Sequence, residues 1–356
     1  MCKIYFLLPD LSAGGAERVA ITIARILKKN GFDVGFINLG YPQGEMYDWI
    51  VPEFEMISLS CTRVLAAIPK LISFMNKHKE AKFFSSREHV NIIGLLCAKI
   101  AGREIIVRIP NMPKNKLVSG VSGIKASVIR NINKRLLRSG KWVIAQNNEM
   151  RKQLIEVYNL QENKVIAINN PVDKEYVLHS AKDANNPYPK NETIFLNICN
   201  IAYSKGIDVL LKAWEKVVNE IPNAHLYIAG RNNSEYAQSL VNKVHEDTKI
   251  TFLGFQSNPY PFLKYCDCFV LPSRMEGFPN VVLEAMCFNR PIASTSCVEV
   301  IKDIIIPGKN GYYCDIENSE ALADTMLKAV KLKQIDNSYD LFDKDKLLSN
   351  CSKLIL

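Results

Sequence analysis

Two carboxylates eight residues apart, Glu276 and Glu284, stand in the segment RMEGFPNVVLEAM that follows the apolar run DCFVLPS. Acids beside a core are costly unless something polar is held there. Carboxylates are strong acceptors for sugar and ribose hydroxyls, which would justify both positions; a salt bridge from Glu284 to a neighbour is the plain alternative. Pro279 is a natural first-turn residue, so the segment reads as a turn opening a helix. The amides near Asn280, Val281 and Val282 would then lie at a fresh N-terminus able to hold phosphate oxygens. Two further turns have related chemistry. Gly14 and Gly15 in SAGGAERV let backbone amides approach an anion at a helix start, or serve only as a tight turn. Lys205, before Gly206 in NICNIAYSKGIDVLLKAW, can act as a point charge on a diphosphate, or remain a solvated lysine.

These turns need elements to carry them. Short apolar strands alternate with amphipathic helices: KIYFLLP, AERVAITIARILKKNG, DVGFINL, EIIVRIP, KWVIAQN and KVIAINNPVD. A second series starts at TIFLNICNI and runs through GIDVLLKAWEKVVNEIP, AHLYIAG, KITFLGF, CDCFVLP, NVVLEAMCFN and PIAST. Such alternation implies an α/β protein with parallel sheets covered by helices. The polar stretch 179–192, with two prolines and no periodicity, reads as an interdomain linker. Ligands of open parallel sheets sit beyond the carboxyl ends of the strands, and all three turns fall there. If the two halves face each other, these loops converge on one cleft. His89, after the strand KFFSS, would border it, unless it merely caps its helix.

Bulk properties narrow the class. A chain of 356 residues exceeds the roughly 250–300 at which single cores stop growing, which favours two domains. With 48% hydrophobic and 23% charged residues it is an ordinary folded chain rather than a disordered one. The balance of 45 basic to 36 acidic residues, +9 net, suits an anionic partner. Ten cysteines without a CxxC pair read as reduced, buried thiols of a cytosolic protein. No apolar stretch nears the roughly 20 residues that span a bilayer, so any membrane contact would be peripheral. The five histidines lack metal-ligand spacing, and no metal site is expected. From Lys125 to Lys141 there are six basic and no acidic residues, interleaved with an apolar series at Val121, Ile124, Val128, Ile132 and Leu136. That pattern fits a helix on an anionic membrane, and equally a helix packed on its own domain. No aromatic platforms accompany the charges, which argues against nucleic acid.

Taken together, GGAERV, SKG before a helix, EGFPNVVLEAM and GKNGYYC resemble the retaining glycosyltransferases of the GT-B superfamily, family 4, over nearly the whole chain. The most specific part is Glu276-x7-Glu284 with Gly277, Phe278, Pro279 and Asn280 between. The resemblance implies two Rossmann-like, doubly wound domains facing across a cleft: 1–175 for the acceptor, 176–338 for the nucleotide-sugar donor, and a terminal helix at 339–356 crossing back. It implies that Lys205 stabilises the departing diphosphate, Glu276 contacts the donor sugar and Glu284 the ribose. The amides from Gly277 to Val282 would hold sugar and phosphates, with Gly15 approaching from the opposite wall. No cofactor or metal is implied.

Three departures stand out. The family's Gly-Arg-Leu is here Cys199, Asn200 and Ile201, so the arginine partner of Lys205 is missing; one charge-assisted contact is worth about 1.5–3 kcal/mol. The Gly-Pro before the family's later glutamate is absent, with Asp303 as nearest counterpart. On the acceptor side, Arg108 and Asn111 occupy the neighbourhood of the family's histidine. The expected reaction moves a sugar, with retention, from a nucleoside diphosphate, UDP foremost, to a glycan acceptor. The expected acceptor is a polyprenyl-diphosphate-linked saccharide at the inner face of the membrane, as in O-antigen or capsule assembly. A UDP-sugar epimerase or hydrolase on the same scaffold, and a silent nucleotide-sugar-binding subunit, are the alternatives.

Overall fold

A computed structural model describes residues 3–335, apart from 13, 45, 47–49, 114–123, 246 and 247. The chain divides into two units, the first running to Pro171 and the second beginning at Val172. The helix expected at 339–356 lies outside the described residues.

The first unit comprises β1 (Ile4–Leu8), α1 (Gly15–Lys29), β2 (Val34–Asn38), β3 (Glu55–Ser58), α2 (Ile68–Lys77), β4 (Lys82–Ser85), α3 (Glu88–Ala101), β5 (Ile105–Arg108), α4 (Ile124–Ser139), β6 (Trp142–Ala145), α5 (Asn148–Tyr158) and β7 (Val165–Ala167). Its strands form one parallel sheet in the order β3-β2-β1-β4-β5-β6-β7. The interior strand β1 is buried along its whole length, as a strand covered on both faces must be. Phe6 packs there between the tilted rings of Phe36 and Phe84, with ring centroids 5.5 and 4.6 Å away.

The second unit comprises α6 (Lys174–His179), β8 (Thr193–Ile198), α7 (Ile207–Glu220), β9 (Ala224–Ala229), α8 (Glu235–Val241), β10 (Ile250–Gly254), α9 (Tyr260–Tyr265), β11 (Cys268–Leu271), α10 (Asn280–Cys287), β12 (Ile292–Thr295), α11 (Val300–Ile304), β13 (Gly311–Cys314) and α12 (Ser319–Ala329). Its parallel sheet has the order β10-β9-β8-β11-β12-β13. Trp214 of α7 is 1% exposed, packs edge-on to Phe195 of β8 and donates its indole N–H to the Thr248 carbonyl. An aromatic buried so fully contributes about 1.5–3 kcal/mol of transfer free energy.

The stretch 179–192 is not a tether between the units. It packs on the second unit, with Ala181 and Tyr188 buried. Tyr188 donates to the Phe262 carbonyl, Lys264 to that of Ala181 and Tyr265 to that of Ala184, which fastens the segment along α9. Its prolines and polar residues satisfy a surface course, and its tyrosine anchors it. The edge strand β3, half-exposed with Glu55 outermost, went unread for a related reason: its acidic first residue masks a strand pattern.

Each sheet has one position where neighbouring strands send their connections to opposite sides, and ligands of such folds collect there. In the first unit it lies between β1 and β4; in the second it lies between β8 and β11. The loop after β1 holds Gly14, the helix after β4 starts beside His89, and the loops after β8 and β11 hold Lys205 and Glu276.

Candidate active site

In the second unit, β8 and β11 lie side by side in parallel register, Phe195 opposite Cys268. Their C-terminal loops are therefore brought together although about 70 residues separate them. A short 3-10 turn, Tyr203–Lys205, ends at Gly206, which takes the left-handed conformation at φ 64° and starts α7. A Cβ at Gly206 would sit 2.1 Å from the Pro272 carbonyl oxygen, so glycine is required for both backbone angle and space. Gly206→Ala should cost at least about 3 kcal/mol and weaken activity through displacement of Lys205. A chemical-denaturation midpoint equal to wild type would contradict this.

The close approach places Lys205 Nζ 2.7 Å from Glu276 Oε1, which also accepts a 2.7 Å hydrogen bond from the Ser273 hydroxyl. The Lys205 side chain is 27% exposed and that of Glu276 12%. Burial alone would lower the Lys205 pKa, but the attraction of Glu276 and their hydrogen bond outweigh it, so the group lies above the ordinary lysine value and is an ammonium at neutral pH. Two half-buried thiols, Cys199 and Cys297, flank this pair; burial pushes each up to about 12, so both are neutral.

Downstream, α10 begins at Asn280 with Pro279 as its cap residue, one position earlier than the expected first turn. The Asn280 and Val282 amides bond the carbonyls of Phe278 and Pro279, which tightens this entry. Phe278 is buried and Gly277 and Val281 are half-buried. Glu284 lies in the second turn, half-buried, with the Tyr260 hydroxyl 3.5 Å from Oε1. Asn200 is exposed, and its side chain accepts from the Arg231 amide at 3.4 Å. Arg231 itself lies over the Phe255 ring, 4.4 Å from its centroid. Asp303 lies in the first turn of α11.

One residue that sequence reasoning passed over organises the pair. Arg274, 8% exposed, donates to both carboxylate oxygens of Asp208 at 2.8 and 2.7 Å. It also donates to both oxygens of Glu317 and, at 2.6 Å, to the Tyr203 carbonyl, while stacking 4.0 Å over the Tyr203 ring. Its own amide bonds the Ser204 carbonyl at 2.8 Å. Arg274 thus ties the turn carrying Lys205 to the turn carrying Glu276. With Nε, Nη1 and Nη2 all engaged, it does not stand in as a phosphate ligand for the absent family arginine. Its hydrogen bonds hold Asp208 at a pKa of about 2, below the ordinary carboxylate. A depressed carboxylate contributes stability above its unfolded value near 3.9 and loses it as pH falls through about 2. Asp208→Asn should therefore cost about 1–2 kcal/mol at pH 7, with the gap to wild type closing between about pH 4 and 2. Urea unfolding at pH 7 and pH 3 checks the narrowing; a gap that widens in acid would refute it.

The first-unit candidates lie around their own crossover. Gly14 caps α1 in extended backbone, and a Cβ there would meet Glu17 Oε2 at 2.3 Å, whereas Gly15 faces open space. Glu17, 2% exposed, folds back over the helix start and pairs with Arg87, the cap residue of α3. The glycine at 14 makes room for that acid. His89, one residue into α3, is exposed; partial burial and then Arg87 keep its pKa below the ordinary value. Arg108 ends β5 and is 2% exposed, while Asn111 is exposed three residues on.

Of the basic segment, Val121 and the side chains through Arg130 lie outside the described residues. Leu136 and Leu137 pack on their own unit, Ile132 is 47% exposed, and Arg135 is exposed. Arg138 donates to the Asn159 carbonyl and Lys141 pairs with Glu104. Among the described residues, no cluster of His, Cys, Asp and Glu could hold a metal ion, and no helix is long and apolar enough to cross a membrane.

Comparison with known proteins gives this arrangement its context. The family description "Glycosyltransferase Family 4" matches residues 13–176 and "Glycosyl transferases group 1" matches 179–343. A glycosyltransferase of Methanocaldococcus jannaschii is 27% identical over 68% of this chain and 70% of its own. A Campylobacter jejuni 4-alpha-N-acetylgalactosaminyltransferase, named for an N-acetylgalactosamine-N,N'-diacetylbacillosaminyl-diphospho-undecaprenol acceptor, is 20% identical over the full length of both. Among solved structures, Anabaena HepE in complex with UDP and glucose superposes with TM-score 0.80 at 16% identity, covering 100% of this chain and 99% of its own. Two Rossmann-like units of the GT-B type and family matches spanning both of them lead to one assignment: the chain belongs to the group 1, or family 4, glycosyltransferases.

Proposed function

We propose that this glycosyltransferase moves a sugar from UDP-sugar, with retention of anomeric configuration and without a metal, to a hydroxyl of a polyprenyl-diphosphate-linked saccharide. The observation that carries the reading is the Lys205–Glu276 pair at the crossover of the second sheet. An ammonium held by a carboxylate beside a helix start suits a site where a diphosphate must leave and a sugar must be oriented. In the reaction, the acceptor oxygen bonds to the anomeric carbon on the face from which the diphosphate departs. The diphosphate takes the electron pair of the broken bond and then the acceptor proton. Lys205 shifts part of its charge from Glu276 to the leaving oxygens, and Glu276 accepts hydrogen bonds from the sugar. Glu284 holds the ribose, and the 277–282 turn at the start of α10 holds the phosphates. His89, Arg108 and Asn111 serve the acceptor side.

UDP as the nucleotide draws support from HepE, solved with UDP and glucose, and the lipid-linked acceptor from the full-length relative named for one. Work at the inner membrane face fits the exposed Arg135 and Ile132 of α4. The deciding experiment is a thermal-shift panel of UDP-, GDP- and ADP-sugars, followed by NMR of the linkage made on lipid-linked saccharides. Selective UDP-sugar stabilisation and a product of unchanged anomeric configuration are expected; an inverted linkage would end the retaining reading. Free sugar released without acceptor would mark a hydrolase. UDP binding with no transfer to any lipid-linked saccharide would mark a silent subunit. Flotation with anionic against neutral liposomes tests the membrane face, where equal, negligible binding would remove it.

A further inference from the structure

Arg108 carries a buried guanidinium. It ends β5 at the carboxyl edge of the first sheet, where ligands of parallel sheets bind, and is 2% exposed. No carboxylate pairs with it among the described residues, and its Nη1 has no hydrogen-bond partner. Its Nη2 donates to the Asn170 side-chain oxygen. The surrounding groups are polar but neutral. Asn170 donates its amide to Gln146 Oε1 at 3.1 Å, and Gln146 donates to the Ile109 carbonyl at 2.7 Å. Asn91 donates to the Arg108 carbonyl at 2.9 Å and accepts from Ser85 at 2.5 Å. This network fixes the strand end and turns a carbonyl toward the guanidinium, yet supplies no negative charge.

A buried charge that is not neutralised costs several kcal/mol, and stability alone would replace it with an apolar side chain. Burial lowers the Arg108 pKa only to about 9, so it is cationic at neutral pH and the cost is not escaped by deprotonation. Its neighbours do not explain it either, since the asparagine and glutamine bonds are those neutral partners make with each other. What a planar fork with an unused N–H pair in a dry, rigid frame fits is an oxyanion, bound through charge-assisted hydrogen bonds. The strand end is within reach of solvent, because Pro110 is half-buried and Asn111 exposed immediately beyond it.

We propose that Arg108, framed by Asn170 and Gln146, is an oxyanion site that takes a carboxylate or phosphate group of the acceptor. The identification with the acceptor rests on the function proposed above; the oxyanion site itself does not. Its signature is an inverted stability effect: the guanidinium is retained at the expense of the unliganded fold.

The test compares wild type with Arg108→Met and Arg108→Lys by thermal unfolding in sodium malonate, sodium phosphate and sodium chloride at equal ionic strength. Wild type should be stabilised saturably by malonate or phosphate over chloride, by roughly 3 °C at tenfold excess over the dissociation constant. Whichever of the two acts assigns the group as carboxylate or phosphate. Arg108→Met should unfold at or above the wild-type temperature without anion and lose the response. Arg108→Lys should keep a weaker one, because it retains charge without the fork. A wild type indifferent to both oxyanions overturns the site. So does an Arg108→Met variant that unfolds several degrees lower with its anion response intact, since the arginine would then be structural. UDP-induced stabilisation, measured in parallel on Arg108→Met, should be unchanged; its absence from wild type as well would fault the donor reading and leave the anion result standing.

Discussion

Lys205→Ala should lower kcat by about 10²–10³ while shifting the unfolding temperature by only a few degrees. Removing one preorganised donor aimed at developing charge costs about 2.7–4 kcal/mol of transition-state stabilisation. Lys205 is placed for such a role: it is charged, a quarter exposed, and anchored by a single carboxylate 2.7 Å away. Its loss leaves Glu276 with the Ser273 hydroxyl and some solvent, so the folded state gives up far less than the reaction does. Lys205→Arg keeps the charge on a wider, differently directed head and should recover only part of the rate. Because ammonium and carboxylate act as a unit, Lys205→Ala combined with Glu276→Ala should cost much less than the two separate losses added together. Steady-state kinetics with the preferred donor, beside urea unfolding, measures both sides. A Lys205→Ala enzyme with wild-type turnover would remove leaving-group stabilisation from the mechanism.

Much of this site can be read from residue types, because its parts are local: a glycine before a helix, a lysine beside it, two acids flanking a Gly-Phe-Pro turn. The two-layer alternation that places them is equally local. What could not be read is which loops meet. Lys205 and Glu276 are neighbours only because β8 and β11 pair, and strand order is a long-range property that periodicity does not encode. Arg274 was hidden for the same reason. It stands within a quoted motif, but its partners Asp208 and Glu317 lie 66 and 43 residues away, and no spacing joins them. The only local sign was a charge directly after an apolar strand that turned out to be buried. Arg108 went the other way: its position was noticed, but the missing acid beside it becomes visible only when the surrounding side chains are in place. The segment 179–192 shows the limit of composition, since Tyr188 and Ala181 bury themselves inside a stretch whose average is polar.

Arg274→Ala should cost about 2–4 kcal/mol of stability and at least about tenfold in kcat/KM for the donor. Removing one member of a partly buried ion cluster leaves the other charges uncompensated, and that penalty exceeds the worth of the bridge itself. Here the remainder is two acids, Asp208 and Glu317, drawn together by a guanidinium that no longer separates them. Glu317 is 48% exposed, so solvent screens its share and the estimate stays below the fully buried range. The kinetic loss has a separate origin. Arg274 holds the Tyr203 carbonyl and ring, and with them the turn that aims Lys205 at Glu276. Loosening that turn by about 1 Å misplaces the ammonium relative to the leaving oxygens, an error that costs catalysis more than binding. kcat per folded molecule should therefore fall more than the donor KM rises, whereas a purely structural role, acting through the fraction folded, would leave kcat per folded molecule at the wild-type value. Arg274→Lys should rescue stability partly and kcat less, because a lysine cannot bridge two carboxylates and a carbonyl at once. Adding Asp208→Asn to Arg274→Ala should restore stability by relieving the unpaired acid while leaving kcat low. A double variant that recovers both together would show that Arg274 only holds the fold, and that the aim of Lys205 is set elsewhere.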